Sequence, residues 1–387
     1  MISVMKYRSF GLLFFILLLT VPAFGQAQSN STPLSNQELV RLVYQLPAHP
    51  ERKEALIEEI RRRGIGFPLT DGLRALVASK SGNDASLRRA LEEADRRRLN
   101  PAGSSLPSES EGEELISKTR NVTLAAAGAM PDFIVKQVIT RSLALGTSQN
   151  WMVSDHLTVA VSYRANAGEE YHVLSVNGVP QSAEANGSHS YEQLGGTTST
   201  GEYVSMLADL FDPASRTTFK MVDTDVLRGR RTIVYEYEVQ KPYSKQMIKA
   251  RGFGDNEIIT GYRGRVWIDR ELYRVLRLED VATDIPSDFP VSAASSMVDY
   301  DWVMINDHQY LLPSRAEITL AARASNQQLQ TRNEIRFRGY QKFGSDVRII
   351  EDVDDADEPP AQQTQQQPST QRPTSTTPPA PQPSPTP

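Results

Sequence analysis

The chain has 387 residues and a formal net charge of -5, with 24 prolines and no cysteine. That balance gives no global electrostatic case for nucleic-acid binding. The missing cysteine excludes disulfides, thiolate catalysis, thiolate metal sites and a lipid-modified N-terminal cysteine, while the length accommodates two domains.

Lys6 and Arg8 precede an apolar run from Phe10 to Val21, and Pro22-Ala-Phe-Gly25 follows with small residues at Ala23 and Gly25. A charged n-region, a short apolar region and a small-x-small site predict a signal peptide over residues 1–25, cleaved near Gly25 or Ala27. The run falls short of the ~20 residues that cross a bilayer, and no later stretch is long enough. The expected address is secreted, and periplasmic in a two-membrane bacterium. An exported domain without disulfides must be held by its hydrophobic core.

Residues 35–98 read as a small all-helical module. Ser35 is placed to cap a first helix, Glu38 to close the capping box and Leu34 to staple onto Leu39. A second helix runs from about Glu51 to Arg63 and stops at Gly64. Thr70-Asp-Gly opens a third through Leu73, Leu76 and Val77, and a fourth spans about Asp84 to Arg98. The runs Arg61 to Arg63 and Arg96 to Arg98 fall in last turns, where cations complement the helix dipole and stay solvated. A docking patch is the alternative reading.

Residues 99–114 are rich in Pro, Ser and Gly and predict a linker. A helix is expected over Leu115 to Ala127. Alternation then takes over from 115–348, with apolar rows at Phe133, Val135 and Ile139, and at Leu157, Val159, Val161 and Tyr163. Asn177-Gly178 marks a turn, and Val204, Leu207 and Phe211 mark a helix within the strand region. Ile233, Tyr235, Tyr237 and Val239 alternate most strongly. Tyr262, Val266 and Ile268 share one face of a hairpin strand that turns at Asp269 to Glu271, after which Leu276 and Leu278 are expected to share a face. Gly261-x-x-Gly264 inside that strand predicts a bulge, a bend or a close backbone approach. Val298, Tyr300, Trp302 and Met304 form another row, with Ala316 to Leu320, Ile335 and Phe337 beyond. About ten strands joined by short turns predict a meandering antiparallel sheet. Residues 351–387 are an acidic run leading into a Pro/Gln/Ser/Thr-rich tail that cannot bury enough apolar surface to fold.

No motif carries chemistry. The five histidines lack metal-ligand spacing, and no nucleophile elbow, phosphate loop or dinucleotide fingerprint is present. A non-enzyme without cofactor or metal is expected. The aromatic rows point elsewhere: a sheet with so few helices to cover its dry face tends to curl and leave a cavity.

The segment Gly261 to Glu279, with Val298-Asp-Tyr-Asp-Trp-Val303, Tyr310-Leu-Leu-Pro313, Arg332 to Phe337 and Tyr340 to Phe343, resembles the C-terminal meander of outer-membrane lipoprotein-sorting proteins, the Lol-type periplasmic carriers. The resemblance implies an unclosed antiparallel half-barrel with helices over a concave apolar face that shelters acyl chains. The helical module and the proline-rich tail depart from that pattern. The fold class expected is therefore α+β: a large curved antiparallel sheet with covering helices, preceded by a small all-α module. The expected function is a non-enzymatic binder or carrier of a lipid or acylated lipoprotein. Ile233, Tyr235, Tyr237, Tyr262, Val266, Ile268, Tyr300, Trp302, Met304 and Phe337 are expected to line its cavity. The alternative is a cell-envelope interaction protein that binds an envelope partner through residues 35–98 and the tail.

Overall fold

The computed structural model describes residues 32–101, 106–146, 150–181, 191, 205–250, 256–324 and 327–343. The expected signal peptide, the acidic run and the tail lie outside these residues. Four helices come first: α1 (Asn36–Gln45), α2 (Lys53–Arg63, entered by a 3-10 turn at Pro50–Arg52), α3 (Asp71–Lys80) and α4 (Ala85–Leu99). Side-chain caps start three of them, with Ser35 accepting from the Glu38 amide, Thr70 from Leu73 and Asp84 from Leu87. Each satisfies an amide that has no partner within the helix. Gly64 ends α2 at φ 68, a backbone state in which glycine carries no Cβ penalty. Leu39, Val43, Ile57, Ile60, Val77, Leu87 and Leu91 pack into a core belonging to this module.

A fifth helix, α5 (Glu109–Gly128), begins inside the stretch read as linker. Ser108 caps it by accepting from the Glu111 amide at 3.3 Å, and Glu109 and Glu111 place negative charge at its positive end. The strands follow: β1 (Phe133–Leu145), β2 (Met152–Arg164), β3 (Gly168–Val176), β4 (Val179–Pro180), β5 (Thr218–Leu227), β6 (Arg230–Val239), β7 (Met247–Ala250), β8 (Asn256–Ile259), β9 (Gly261–Asp269), β10 (Val275–Thr283), β11 (Val291–Ile305), β12 (His308–Ala324) and β13 (Gln327–Lys342), with α6 (Ser205–Phe211) between β4 and β5. Eleven form one sheet in the order β4-β3-β2-β1-β13-β12-β11-β10-β9-β6-β5, every pairing antiparallel. The sheet is not closed, because β4 and β5 end it on opposite sides. Two-residue turns in which both residues have positive φ, Asn177-Gly178 and Arg228-Gly229, match the right-handed twist of the strands they join. The hairpin β7–β8 stands apart from the main sheet.

The two faces of the sheet carry different loads. One, called inner here, collects Ile139, Val159, Tyr235, Val266, Val298, Ile335 and their neighbours into one apolar cluster together with Leu115 of α5 and Phe211 of α6. The hairpin β7–β8 covers the far end of the same face, where Ile248 and Ala250 meet Ala282, Phe289, Val291 and Leu320. The outer face carries a smaller apolar group, Leu227, Val234, Trp267 and Leu276, among paired charges.

Two expected rows break where the strand register shifts. A shift between Val275 and Arg277 leaves Leu278 inside but sends Leu276 to the outer group beside Trp267. At a second, between Asp299 and Tyr300, the extra residue is Ser314 on the partner strand β12, and beyond it Val303 and Ile305 of β11 continue the inner row. Trp302 and Met304, expected in that row, fall outside the inner cluster, and Met304 is 53% exposed. One extra residue in a strand reverses side-chain parity beyond it.

The arginine runs also differ from expectation. Arg62 is exposed, but Arg61, Arg96 and Arg97 reach the outer face of the sheet. Arg96 grips Asp225 bidentately at 2.8 and 2.9 Å, Arg97 holds Asp223 at 2.5 Å, and Arg61 and Arg89 share Glu279 at 3.3 and 2.6 Å. The helix dipole accounts for cations in a last turn. It says nothing about carboxylates more than a hundred residues away that become partners once the sheet forms.

Candidate functional site

The inner face is built from the alternation of ten strands, and Gly264 shows how tightly its centre is set. A Cβ at Gly264 would lie 1.8 Å from the Glu279 carbonyl oxygen on β10. Tyr237 pairs directly opposite Gly264 on β6, and its hydroxyl donates to that same carbonyl at 2.9 Å. The space a side chain at 264 would need is filled by the backbone of Glu279 and Asp280, and the Tyr237 hydroxyl closes on the same carbonyl. The glycine expected to mark a close backbone approach does so here.

From Tyr237 a chain of rings continues along the face. Tyr262 meets it edge-on at 6.1 Å, Phe219 lies 6.4 Å away, and Phe211 of α6 stacks on Phe219 at 5.4 Å. Such contacts add about 0.5–1.5 kcal/mol each beyond buried area. Alongside, the Tyr235 hydroxyl donates to the Gly112 carbonyl of α5 at 2.9 Å. A Cβ at Gly112 would sit 3.2 Å from the Met221 sulfur, so the helix rests directly on β5 and β6. Three polar contacts pin α5 to the β9–β10 turn: Arg270 to Glu111, Arg274 to the Val122 carbonyl, and Lys118 over the Tyr273 ring at 4.8 Å. Burial pushes the Tyr235, Tyr237 and Tyr262 hydroxyls above the usual tyrosine range, so all three stay neutral hydrogen-bond donors.

Eight of the ten expected lining residues, Ile233, Tyr235, Tyr237, Tyr262, Val266, Ile268, Tyr300 and Phe337, belong to this one cluster at 0–9% exposure. They meet the protein's own side chains. Met130, Tyr163, Tyr171, Tyr273, Tyr310 and Tyr340 are among the half-buried residues packed against the cluster. Phe133 stacks on Tyr163 at 5.1 Å and meets Tyr340 edge-on at 5.5 Å, while Tyr191 stacks on Tyr171 at 5.2 Å.

Buried polar groups within this face were missed, Gln137 beside Val159 and Phe337, Asn333 beside Ile318, and Asp280. Asp280 is 4% exposed and accepts hydrogen bonds from the Ser296 hydroxyl and, at 2.8 Å, from the Gln246 amide that leads into β7. Burial raises its pKa and the Glu279 charge adds to the rise, while the two hydrogen bonds oppose it. Its parity with Leu278 was the readable signal. The carboxylate sits where the β7–β8 hairpin meets the sheet, so its protonation bears on how that hairpin is held.

His156 and His172 do not converge: both are exposed, and they pair with Thr140 and Ala160 on neighbouring strands. Among the described residues no cluster of three or more His, Asp or Glu is arranged to hold a metal ion, and no helix is long and apolar enough to cross a membrane.

Comparison of the sequence with family models and with curated proteins returns no match. Solved structures similar to this chain include a LolA superfamily protein from Nitrosomonas europaea, at 10% identity over 60% of this chain and 93% of that one, with a TM-score of 0.23. A DUF1329 family protein from Desulfovibrio piger is similar at 10% identity, 59% and 92% coverage and a TM-score of 0.26. The MucA/MucB complex of Pseudomonas aeruginosa matches at 11% identity, 58% and 98% coverage and a TM-score of 0.17.

Proposed function

We propose that the inner face shelters a hydrophobic guest, a lipid or an acylated polypeptide, and that the protein is a non-enzymatic carrier exported to the periplasm or beyond. The observation that carries this reading is where the helices go. The four-helix layer that could roof the apolar face permanently is fastened to the opposite face by ion pairs. Among the described residues the inner face is roofed by separate pieces: the 20-residue α5 lying along it, a seven-residue helix and a hairpin of two four-residue strands. α5 is pinned to the sheet, but α6 and the β7–β8 hairpin are short, and short elements with few contacts of their own are the ones that open at low free energy. A guest entering past the half-buried tyrosines exchanges one apolar surface for another, so parting the roof costs little net hydrophobic burial. The buried tyrosines then act as the floor of the site, with the half-buried ones as its entrance.

The carrier reading is tested by native mass spectrometry of protein taken from a periplasmic extract, together with uptake of a fluorescent fatty acid by the delipidated chain. Co-purified lipid and saturable uptake support it. Protein that is free of lipid and takes up none overturns it. The interaction-protein reading draws less support, because Arg61, Arg96 and Arg97, which would give residues 35–98 a binding patch, are engaged by the sheet.

A further inference from the structure

On the outer face, the module and the sheet line a cleft of about 540 Å³. Its volume lies within the range of small-molecule sites. Six arginines line it: Arg74, Arg88, Arg89 and Arg96 from the module side, Arg277 and Arg315 from β10 and β12. Five of these have carboxylate partners. Arg74 pairs with Glu92, Arg89 with Glu279, Arg96 with Asp225, Arg277 with Asp299 and Arg315 with Glu334. Arg88 has none among the described residues, and its Nε is buried without a hydrogen-bond acceptor. A guanidinium N–H withdrawn from water without an acceptor costs free energy that an anion would recover. Two carboxylates also line it, Glu92 and Asp299, each held by an arginine, and the rest of the wall is apolar, from Leu69, Val77 and Leu91 of the module to Leu227 and Met297 of the sheet.

One uncompensated guanidinium beside an apolar wall selects a ligand with one negative charge and an apolar body. We infer that this cleft binds a small amphiphilic carboxylate, with the carboxylate on Arg88 and the chain against Leu91, Leu227 and Met297. Guanidinium and carboxylate match as a two-pronged pair, so a single arginine suffices to orient the head group. The site is separate from the inner face, which lies across the sheet, and its occupant would bridge α4 to β11 and tighten the attachment of the module.

The test is titration of the full chain with sodium octanoate, followed through the arginine Nε–H and backbone amide resonances. The expected result is a shift at Arg88 Nε and at α3 and α4 amides, with 1-octanol and acetate each binding there at least about tenfold more weakly, the loss expected for one charged hydrogen bond or for the apolar body. Arg88→Met should weaken octanoate binding at the same amides by about tenfold or more and Arg88→Lys by less. Ala78→Phe, which narrows the cleft from α3 without changing charge, should weaken it as well and serves if the Arg88 variants fail to fold. Octanoate that perturbs only α5 and α6 would overturn the cleft while supporting the inner-face carrier. Unchanged cleft affinity in Arg88→Met or in Ala78→Phe would also overturn it. An unliganded inner face with an intact cleft response would separate the two readings in the other direction.

Discussion

Gly264 and Glu93 are the two positions where a single atom decides most. At Gly264 the added methyl would meet backbone, which cannot swing aside as a side chain can. Gly264→Ala should therefore lower stability by about 3 kcal/mol or more, at the upper end of overpacking costs, measured by urea denaturation at neutral pH. Glu93 is 4% exposed, with one carboxylate oxygen unpartnered. Burial first, then the charges of Asp225 and Glu279, pushes its pKa up from 4.5 to about 7. The folded chain thus holds this proton more tightly than the unfolded chain. Its contribution to stability is full below about pH 4.5 and is lost as pH rises to about 7. Glu279 opposes that trend: Arg89 and Arg61 hold its pKa below the usual carboxylate range, giving stability that is lost in acid. Glu93→Gln removes the first effect and keeps the second. The variant should gain on the order of 2–3 kcal/mol relative to wild type between pH 5 and pH 8. Equal differences at both pH values, read from paired denaturation curves, would show that Glu93 is not protonated in the fold.

Between elements, the attachment of α2 and α4 to β5 and β10 rests on charge more than on apolar contact. Asp225 is 7% exposed and serves three donors, Arg96, the Val226 amide at 2.7 Å and the Trp267 indole at 3.1 Å. Removing Arg96 leaves a buried carboxylate with its cationic partner gone, which costs about 3–5 kcal/mol. Removing both charges costs less than the two single losses added together. The expected double-mutant cycle for Arg96→Ala and Asp225→Ala therefore has a coupling of about 1–3 kcal/mol. An additive cycle would mean that the pair is screened and the module held by other contacts. Added salt should weaken the attachment little, because these groups are largely shielded from solvent.

Among the described residues, the sheet separates two kinds of surface: ion-paired to the four-helix module outside, apolar and covered by α5, α6 and the β7–β8 hairpin inside. If the inner face carries a guest, occupancy should change amide exchange in α6 and in β7–β8 while leaving β9 and β10 protected. Hydrogen exchange of the lipid-loaded and delipidated chain checks this. Change confined to α1–α4 would move the guest to the other side of the sheet.

The arrangement of strands was readable because alternation, caps and turn residues act over a few neighbours. Ser35, Thr70 and Asp84 cap as their sequence context implies, and Asn177-Gly178 turns as that dipeptide does. Eight of the ten inner-face residues followed from parity alone. Parity holds only along an uninterrupted strand, so the register shifts that sent Leu276, Trp302 and Met304 out of their rows could not be read from spacing. Arginine runs look the same in the chain whether they meet water or a carboxylate. Asp223, Asp225 and Glu279 became partners only when β5 and β10 were brought beneath α2 and α4. Local chemistry determined which residues turn toward the sheet's apolar side. Long-range folding alone decided which side the helices cover, because that choice depends on pairing energies between segments far apart in the chain.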